Sequence, residues 1–297
     1  MLARLLRFTI AMEMLTGACL WAWLGPGQWG GAATVLGALL AALLMPPLGN
    51  LCTVWYSGLR ARGDGAFAPW CRAMLGEWLA SVDFFVLRQP WAWAPPGALP
   101  AAATPARVPV LLVHGFVSNY RIWDRLAPAL RAQGHPVLSI NLEPLFTSID
   151  DYAPQLEQAV QQLRQQTGQA QVALLCHSMG GLAARAWMRR FGTAHVRRVI
   201  TLGTPHAGTQ AVAWYPPINA AQMAWQSAWL QALAASETPA SRALLRIALT
   251  LQDNIVYPQR AQTLSGAATT VFDGMGHVQL CSAPAVRQWV CADLAML

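Results

Sequence analysis

No lysine occurs in these 297 residues, so all 20 basic side chains are arginine. Arginine stays protonated at any working pH, and the formal charge of +7 therefore does not titrate away. Charge of either sign is scarce, at 11% of residues, where a soluble globular chain carries roughly 25%. The shortfall is concentrated at the N-terminus. There is no basic helix, no zinc-finger spacing and no interleaved aromatic–basic stripe, which leaves no footprint for nucleic acid. None of the six cysteines (19, 52, 71, 176, 281 and 291) forms a C-x-x-C pair. That excludes the usual metal and redox motifs, and neither a metal nor an organic cofactor is expected. Cys19 and Cys52 lie in apolar runs as packing residues. Cys281 and Cys291 could pair only in an oxidising compartment, and all six are read as free thiols.

What is abundant is hydrophobic sequence, 55% of the chain. Residues 8–24 (FTIAMEMLTGACLWAWL) follow Arg4 and Arg7, and residues 33–56 (ATVLGALLAALLMPPLGNLCTVWY) carry no charge. About 20 mostly apolar residues suffice to span a bilayer. The two runs, joined by a short turn with Pro26, Gly27, Gly30 and Gly31, predict a transmembrane helical hairpin as a membrane anchor over 1–60. Glu13 interrupts the first run and Pro46–Pro47 the second, and proline in a helix removes a backbone donor and kinks it. Trp21, Trp23, Trp29, Trp55 and Tyr56 cluster near the run ends, as interfacial aromatics do. A cleaved leader fits less well, because Glu13 sits in its centre and no A-x-A-like site precedes the turn. Arg4 and Arg7 on one flank and Arg60, Arg62 and Arg72 on the other predict that both flanks face the cytoplasm of a bacterial inner membrane. A single span would instead put the rest of the chain in the periplasm.

Residues 61–106 form a connecting region. Residues 68–87 place Trp70, Met74, Leu75, Trp78, Leu79, Val82 and Phe85 at helical spacings, an amphipathic helix that packs on the following domain or lies in the interface. Residues 90–108 are rich in Pro and Ala and read as an extended linker. A catalytic domain over 107–297 follows. Strand patterns at Val108–Val113, Pro136–Asn141, Gln171–Cys176, Val196–Leu202, Arg246–Thr250 and Ala268–Phe272 alternate with helical patterns at 119–133, 150–167, 178–191 and 284–296. Such alternation predicts an α/β fold, a mostly parallel sheet with helices on both faces, whose site lies at the carboxyl ends of the strands.

Three motifs fall at such ends. ALLCHSMGGLAARAW (173–187) is an apolar strand, a sharp turn at His177-Ser178-Met179-Gly180 and a helix that starts at once. A serine there is lifted clear of the sheet, and the helix start offers the Met179 N–H to an oxyanion. VPVLLVHGFVSNYRIW (108–123) runs a strand into His114-Gly115-Phe116. RRVITLGTPHAGT (197–209) follows the elbow helix. Together they resemble the bacterial lipase and esterase branch of the α/β-hydrolase superfamily, over about residues 108–295. The resemblance implies Ser178 in the nucleophile elbow G-x-S-x-G, with Cys176 standing where glycine is usual. It implies an oxyanion hole formed by the backbone N–H groups of Phe116 and Met179, a structural His114, and a supporting rather than catalytic His206.

The acid and base then follow the serine in the order Ser, Asp, His. LTLQDNIVYP (249–258) offers Asp253 after a strand, and FDGMGHVQL (272–280) offers His277 before the last helix. Asp273 is the rival acid, only four residues before His277 on the same loop. A cap insertion at about 210–243 carries Trp214, Met223 and Trp229, candidates for substrate contact or for plain packing. The expectation is a membrane-anchored serine hydrolase cleaving carboxylic esters, lipidic ones given the anchor, through an acyl-enzyme. Its partners would be the ester or lipid substrate and the bilayer, with no obligate protein partner. The alternatives are an acyltransferase using the same triad, or a silent hydrolase-fold scaffold that binds lipids or partners.

Overall fold

Strand runs rich in Val, Leu and Ile, with no polar alternation, suit a sheet buried on both faces. The computed structural model describes residues 2–24, 31–63, 66–93, 107–211 and 215–297. It contains six strands, of which the edge strand β6 is not buried: β1 Val110–Val113, β2 Val137–Ile140, β3 Val172–His177, β4 Val196–Leu202, β5 Leu245–Thr250 and β6 Ala268–Phe272. They form one sheet in the order β2-β1-β3-β4-β5-β6, and every neighbouring pair is parallel. The expected α/β fold is thus the observed one. β3 is central and buried along its whole length.

Because side chains alternate across a strand, the sheet splits its residues between two cores. Leu111, Val113, Leu174 and Cys176 face α5 (Ala153–Thr167), α6 (Met179–Phe191) and the cap. Val110, Leu112, Ala173 and Leu175 face α4 (Ala127–Ala132) and α10 (Pro284–Ala295). The cap consists of α7 (Ile218–Gln222), α8 (Ala228–Ala235) and α9 (Pro239–Ala243). The single helix expected over 119–133 is instead a 3-10 turn at Tyr120–Trp123 followed by α4. The Asn119 side chain takes the Arg121 N–H at 3.1 Å and starts the turn. Pro128 then sits in the first turn of a new helix, where its missing donor costs nothing.

The N-terminal runs form two long helices, α1 (Leu2–Leu24) and α2 (Gly31–Ala61), which pack against each other. Gly17 makes the approach close: a methyl group there would lie 2.5 Å from the Ala41 carbonyl oxygen, the role small residues take at helix seams in membranes. Glu13 of α1 faces Gly49 of α2. Contrary to the expected interruption, α2 runs through Pro46–Pro47 as one helix. α3 (Phe67–Ser81) lies alongside, and its Trp78 indole N–H donates to the Pro47 carbonyl at 2.9 Å. Both helices are long and apolar enough to cross a membrane.

The last turns of α2 are different. Val54, Gly58 and Ala61 are buried, Trp70 of α3 donates to the Gly58 carbonyl, and Gln259 of the hydrolase domain donates to the Ala61 carbonyl at 3.0 Å. α3 buries Trp70, Ala73, Met74, Glu77 and Ser81 while Leu75 and Leu79 stay exposed. It continues as a π-helical turn, Val82–Arg88, and a short 3-10 turn, Gln89–Trp91. Most of the expected Pro/Ala linker, residues 94–106, lies outside the described residues.

Candidate active site

Ser178 stands between β3 and α6 at φ +54° and ψ −127°. A non-glycine residue in that region is strained and persists only where its surroundings impose it. The surroundings are tight. A methyl group on Gly180 would lie 2.4 Å from the Val113 carbonyl oxygen, so α6 can start this close to β1 only with glycine there. Thr204, from the LGTPHAGT run, donates its hydroxyl to the Ser178 carbonyl at 2.9 Å. Cys176 fits beneath the elbow fully buried, and burial pushes its thiol pKa up. It is a small packing residue, and all six cysteines are free.

The loop after β1 lies directly over the serine. A methyl group on Gly115 would sit 2.7 Å from Ser178 Cβ and 3.3 Å from its Oγ. His114 fixes that loop. Its Nδ1–H donates to the Gly115 carbonyl at 2.8 Å, and its Nε2 accepts the Leu142 N–H at 2.9 Å. Burial lowers its pKa to about 4, so it stays a neutral strut. Among the described residues, the backbone N–H groups of Phe116 and Met179 have no protein acceptor. Phe116 follows Gly115 on the loop over the serine, and Met179 is the first residue of α6, directly after it.

His277 follows β6 and Asp253 follows β5. Nδ1 of His277 lies 2.8 Å from Oδ2 of Asp253, and both side chains are buried. The other carboxylate oxygen accepts the N–H groups of Ile255 and Val256 at 2.9 and 2.7 Å. These two N–H groups hold the Asp253 carboxyl in place, with Oδ2 aimed at the ring. Asp273, the rival acid, is exposed and accepts from Gln252 at 2.7 Å. Burial alone would lower the His277 pKa. The charge and hydrogen bond of Asp253, with the charge of Glu77, outweigh it, so the net shift is upward.

His206 is placed elsewhere. Its Nε2 pairs with the Thr201 hydroxyl at 3.0 Å, while buried Arg185 approaches its Nδ1 and donates to its carbonyl. Burial first, then the Arg185 charge, holds its pKa well below the histidine value. It ties the LGTPHAGT turn to α6. Of the three cap candidates, Trp214 lies outside the described residues. Met223 is buried in the core beneath the cap. Trp229 donates to Asp150 at 2.8 Å and lies under Arg189, so the contacts of both are those of a cap seam.

Three polar side chains near the Asp253–His277 pair were not singled out in the sequence. His177 donates from Nε2 to the His277 carbonyl at 3.2 Å, its ring centroid 4.6 Å from that of His277. Asn254 accepts the His277 N–H at 3.3 Å and donates to Ser57 of α2. Glu77 of α3 accepts the N–H groups of Val278 and Gln279, both at 2.9 Å. His177 was visible inside the elbow motif and Asn254 beside the acid. Glu77 gave no local signal beyond a charge on the buried face of an amphipathic helix.

A strained serine after β3, a glycine loop over it and a paired Asp–His after β5 and β6 fit one class of fold, and the chain belongs to it: the model of the alpha/beta hydrolase fold family matches residues 108–276. Among curated proteins the chain is similar to a triacylglycerol lipase of Burkholderia plantarii, 36% identical over 129 residues, which cover 39% of this chain and 35% of that lipase. A triacylglycerol lipase of Pseudarthrobacter phenanthrenivorans is 34% identical over 113 residues, covering 35% of each chain. The chain therefore spans about a third of the length of these relatives. Among solved structures, lipase B of Aspergillus fumigatus superposes with a TM-score of 0.54 at 15% identity, covering 68% of this chain and 55% of that one. The mature lipase BlEst2 of Bacillus licheniformis gives 0.50 at 18% identity, covering 68% and 98%. At those identities the likeness is one of fold.

Proposed function

We propose that this chain is a membrane-anchored serine hydrolase of carboxylic esters, with Ser178 as nucleophile, His277 as base and Asp253 as its partner. The observation that carries the reading is the 2.8 Å His277–Asp253 contact after β5 and β6, in the same sheet whose β3 ends at a serine with φ +54°. His277 takes the hydroxyl proton of Ser178 as Oγ attacks the ester carbonyl. The Phe116 and Met179 N–H groups receive the oxyanion. His277 then hands its proton to the departing alcohol, leaving an acyl-enzyme, and water repeats the sequence to release the acid. Asp253 holds the ring in the Nδ1–H tautomer and stabilises the imidazolium.

The lipidic class of substrate follows from where the enzyme sits. Phe8, Leu15, Leu36, Leu39, Leu43 and Leu44 of the hairpin are all exposed. Exposed apolar surface on this scale marks a membrane or partner surface, and two helices of spanning length fit a bilayer. The names of the lipase relatives point the same way. Arginines on both flanks of the hairpin favour a cytoplasmic catalytic domain. Labelling the detergent-solubilised chain with a fluorophosphonate tests the chemistry: the parent should label and turn over short-chain p-nitrophenyl esters, and Ser178→Ala should do neither. Ester turnover by Ser178→Ala at the parent rate would refute the reading.

A further inference from the structure

The residues that fix the base and the oxyanion loop do not all belong to the hydrolase domain. Glu77 comes from α3, outside the segment matched by the family model. Its side chain is buried, and both carboxylate oxygens are used on the two residues directly after His277, Val278 and Gln279. A methyl group on Gly276 would lie 2.6 Å from Glu77 Cβ, so the base loop is pressed against α3 on its other side as well. The same chain segment reaches the second loop. Gln89, fully buried, donates its amide to the Val117 carbonyl at 2.9 Å and accepts from the Asn119 side chain at its own carbonyl at 3.1 Å. Val117 follows Phe116 and stands at φ +48°. A β-branched residue avoids that region and keeps it only when its surroundings over-determine the backbone.

We infer that residues 67–91 form an intramolecular brace, in which Glu77 positions His277 and Gln89 positions the oxyanion loop at Phe116–Val117. The inference rests on the triad proposed above. The brace grows directly out of the hairpin: α3 packs on α2, and Ser57 of α2 holds Asn254, which in turn holds the His277 N–H. The anchor and the catalytic apparatus are thus one mechanical unit. Neither Glu77 nor Gln89 touches substrate, so both are positioning residues. The charged and titratable groups around Glu77 are His277, Asp253 and Cys281, with His177 behind the His277 ring. Burial pushes the Glu77 carboxyl up to about 7, against the pull of its two N–H donors and of His277. While ionised, it favours the His277 imidazolium.

Ester turnover by the full-length protein in detergent, across pH, tests the brace against a merely structural role. Glu77→Gln keeps the shape and removes the charge. It should lower kcat/KM by about 10²-fold, as small misplacements of a catalytic group do. It should also move the acid limb of the pH profile downward, because loss of an anion beside His277 makes the ring easier to deprotonate. Gln89→Ala should slow fluorophosphonate labelling by about tenfold or more, on the scale of a weakened oxyanion donor, and leave the acid limb in place. An unmoved acid limb in Glu77→Gln overturns the role of Glu77, and an unchanged labelling rate in Gln89→Ala overturns that of Gln89. Recovery of Glu77→Gln only as unfolded protein, read by near-ultraviolet circular dichroism, also overturns it, since the carboxylate would then hold the fold and not the base. Ser178→Ala runs in the same assay. If it stays active, the triad reading has failed; if it is dead while both brace variants match the parent, only the brace has.

Discussion

Leu44 of α2 and Leu175 of β3 sit in runs of nearly the same composition, yet Leu44 is 54% exposed and Leu175 wholly buried. The hydrolase domain hides its leucines between a parallel sheet and two layers of helix. The hairpin turns most of its leucines outward and brings its helices together at small residues, Gly17 against the Ala41 carbonyl and Gly37 against the Trp21 ring. Burying an apolar side chain contributes roughly 1.5–3 kcal/mol whatever removes it from water. In the domain the rest of the chain does so; in the hairpin, on the proposed reading, it falls to the bilayer. The contrast shows that leucine content alone says little about packing, and that spacing and partners decide which solvent a leucine meets.

The largest expected effects separate chemistry from anchoring. Ser178→Ala should lower kcat by roughly 10⁴-fold or more and leave membrane sedimentation untouched; loss of both together would break the separation. Asp253→Asn should lower kcat by up to about 10⁴-fold, whereas Asp273→Asn, exposed and paired with Gln252, should stay within a few fold. A larger loss in Asp273→Asn, measured by the same ester assay, would reassign the acid.

The next effect concerns the two leucine environments directly. Leu175→Ala should cost about 2–5 kcal/mol, as truncation of a core leucine does, read as a lowered denaturant midpoint. Leu44→Ala in detergent should stay within about 0.5 kcal/mol, as exposed sites do. Replacing Leu40, Leu43 and Leu44 together by Asp should release the protein from membranes and spare its ester turnover in detergent. Equal destabilisation by Leu44→Ala and Leu175→Ala would mean that the hairpin is covered by protein after all.

The smallest effect is a shift in pH dependence. As the proposed base, His277 must be neutral to accept the Ser178 proton, and its pKa lies above the ordinary histidine value of about 6.5. Activity should therefore rise with pH along an acid limb that lies above that value. Asp253→Asn removes the stabilising charge, so its residual activity should show the limb displaced to lower pH. A profile of kcat/KM for parent and variant checks the direction, and an upward displacement would contradict the geometry.

Much of this was determined by the sequence alone, because it is written in local patterns. Apolar runs bounded by turn residues marked each of the six strands to within about two residues, and the alternation with helices implied a parallel sheet. The abrupt strand-to-helix change around His177-Ser178-Met179 marked the elbow, and two apolar runs marked the hairpin helices. Helix breaks were read less well. Asn119 splits an expected helix by taking a backbone N–H, whereas the spanning helix expected over 33–56 runs unbroken through Pro46–Pro47.

Spacing along the chain already favoured Asp253 over Asp273, which lies only four residues before His277; tertiary structure alone set how that carboxylate meets the ring. Asp253 and Asp273 both follow strands, and only the placement of β5 beside β6 turns Asp253 toward Nδ1. It alone also brought Glu77 to Val278 and Gln89 to Val117, across separations of 201 and 28 residues. No local pattern encodes such contacts. A glutamate on the inner face of an amphipathic helix carries no sign of its partner until the sheet has folded and presented two unpaired N–H groups beside the base.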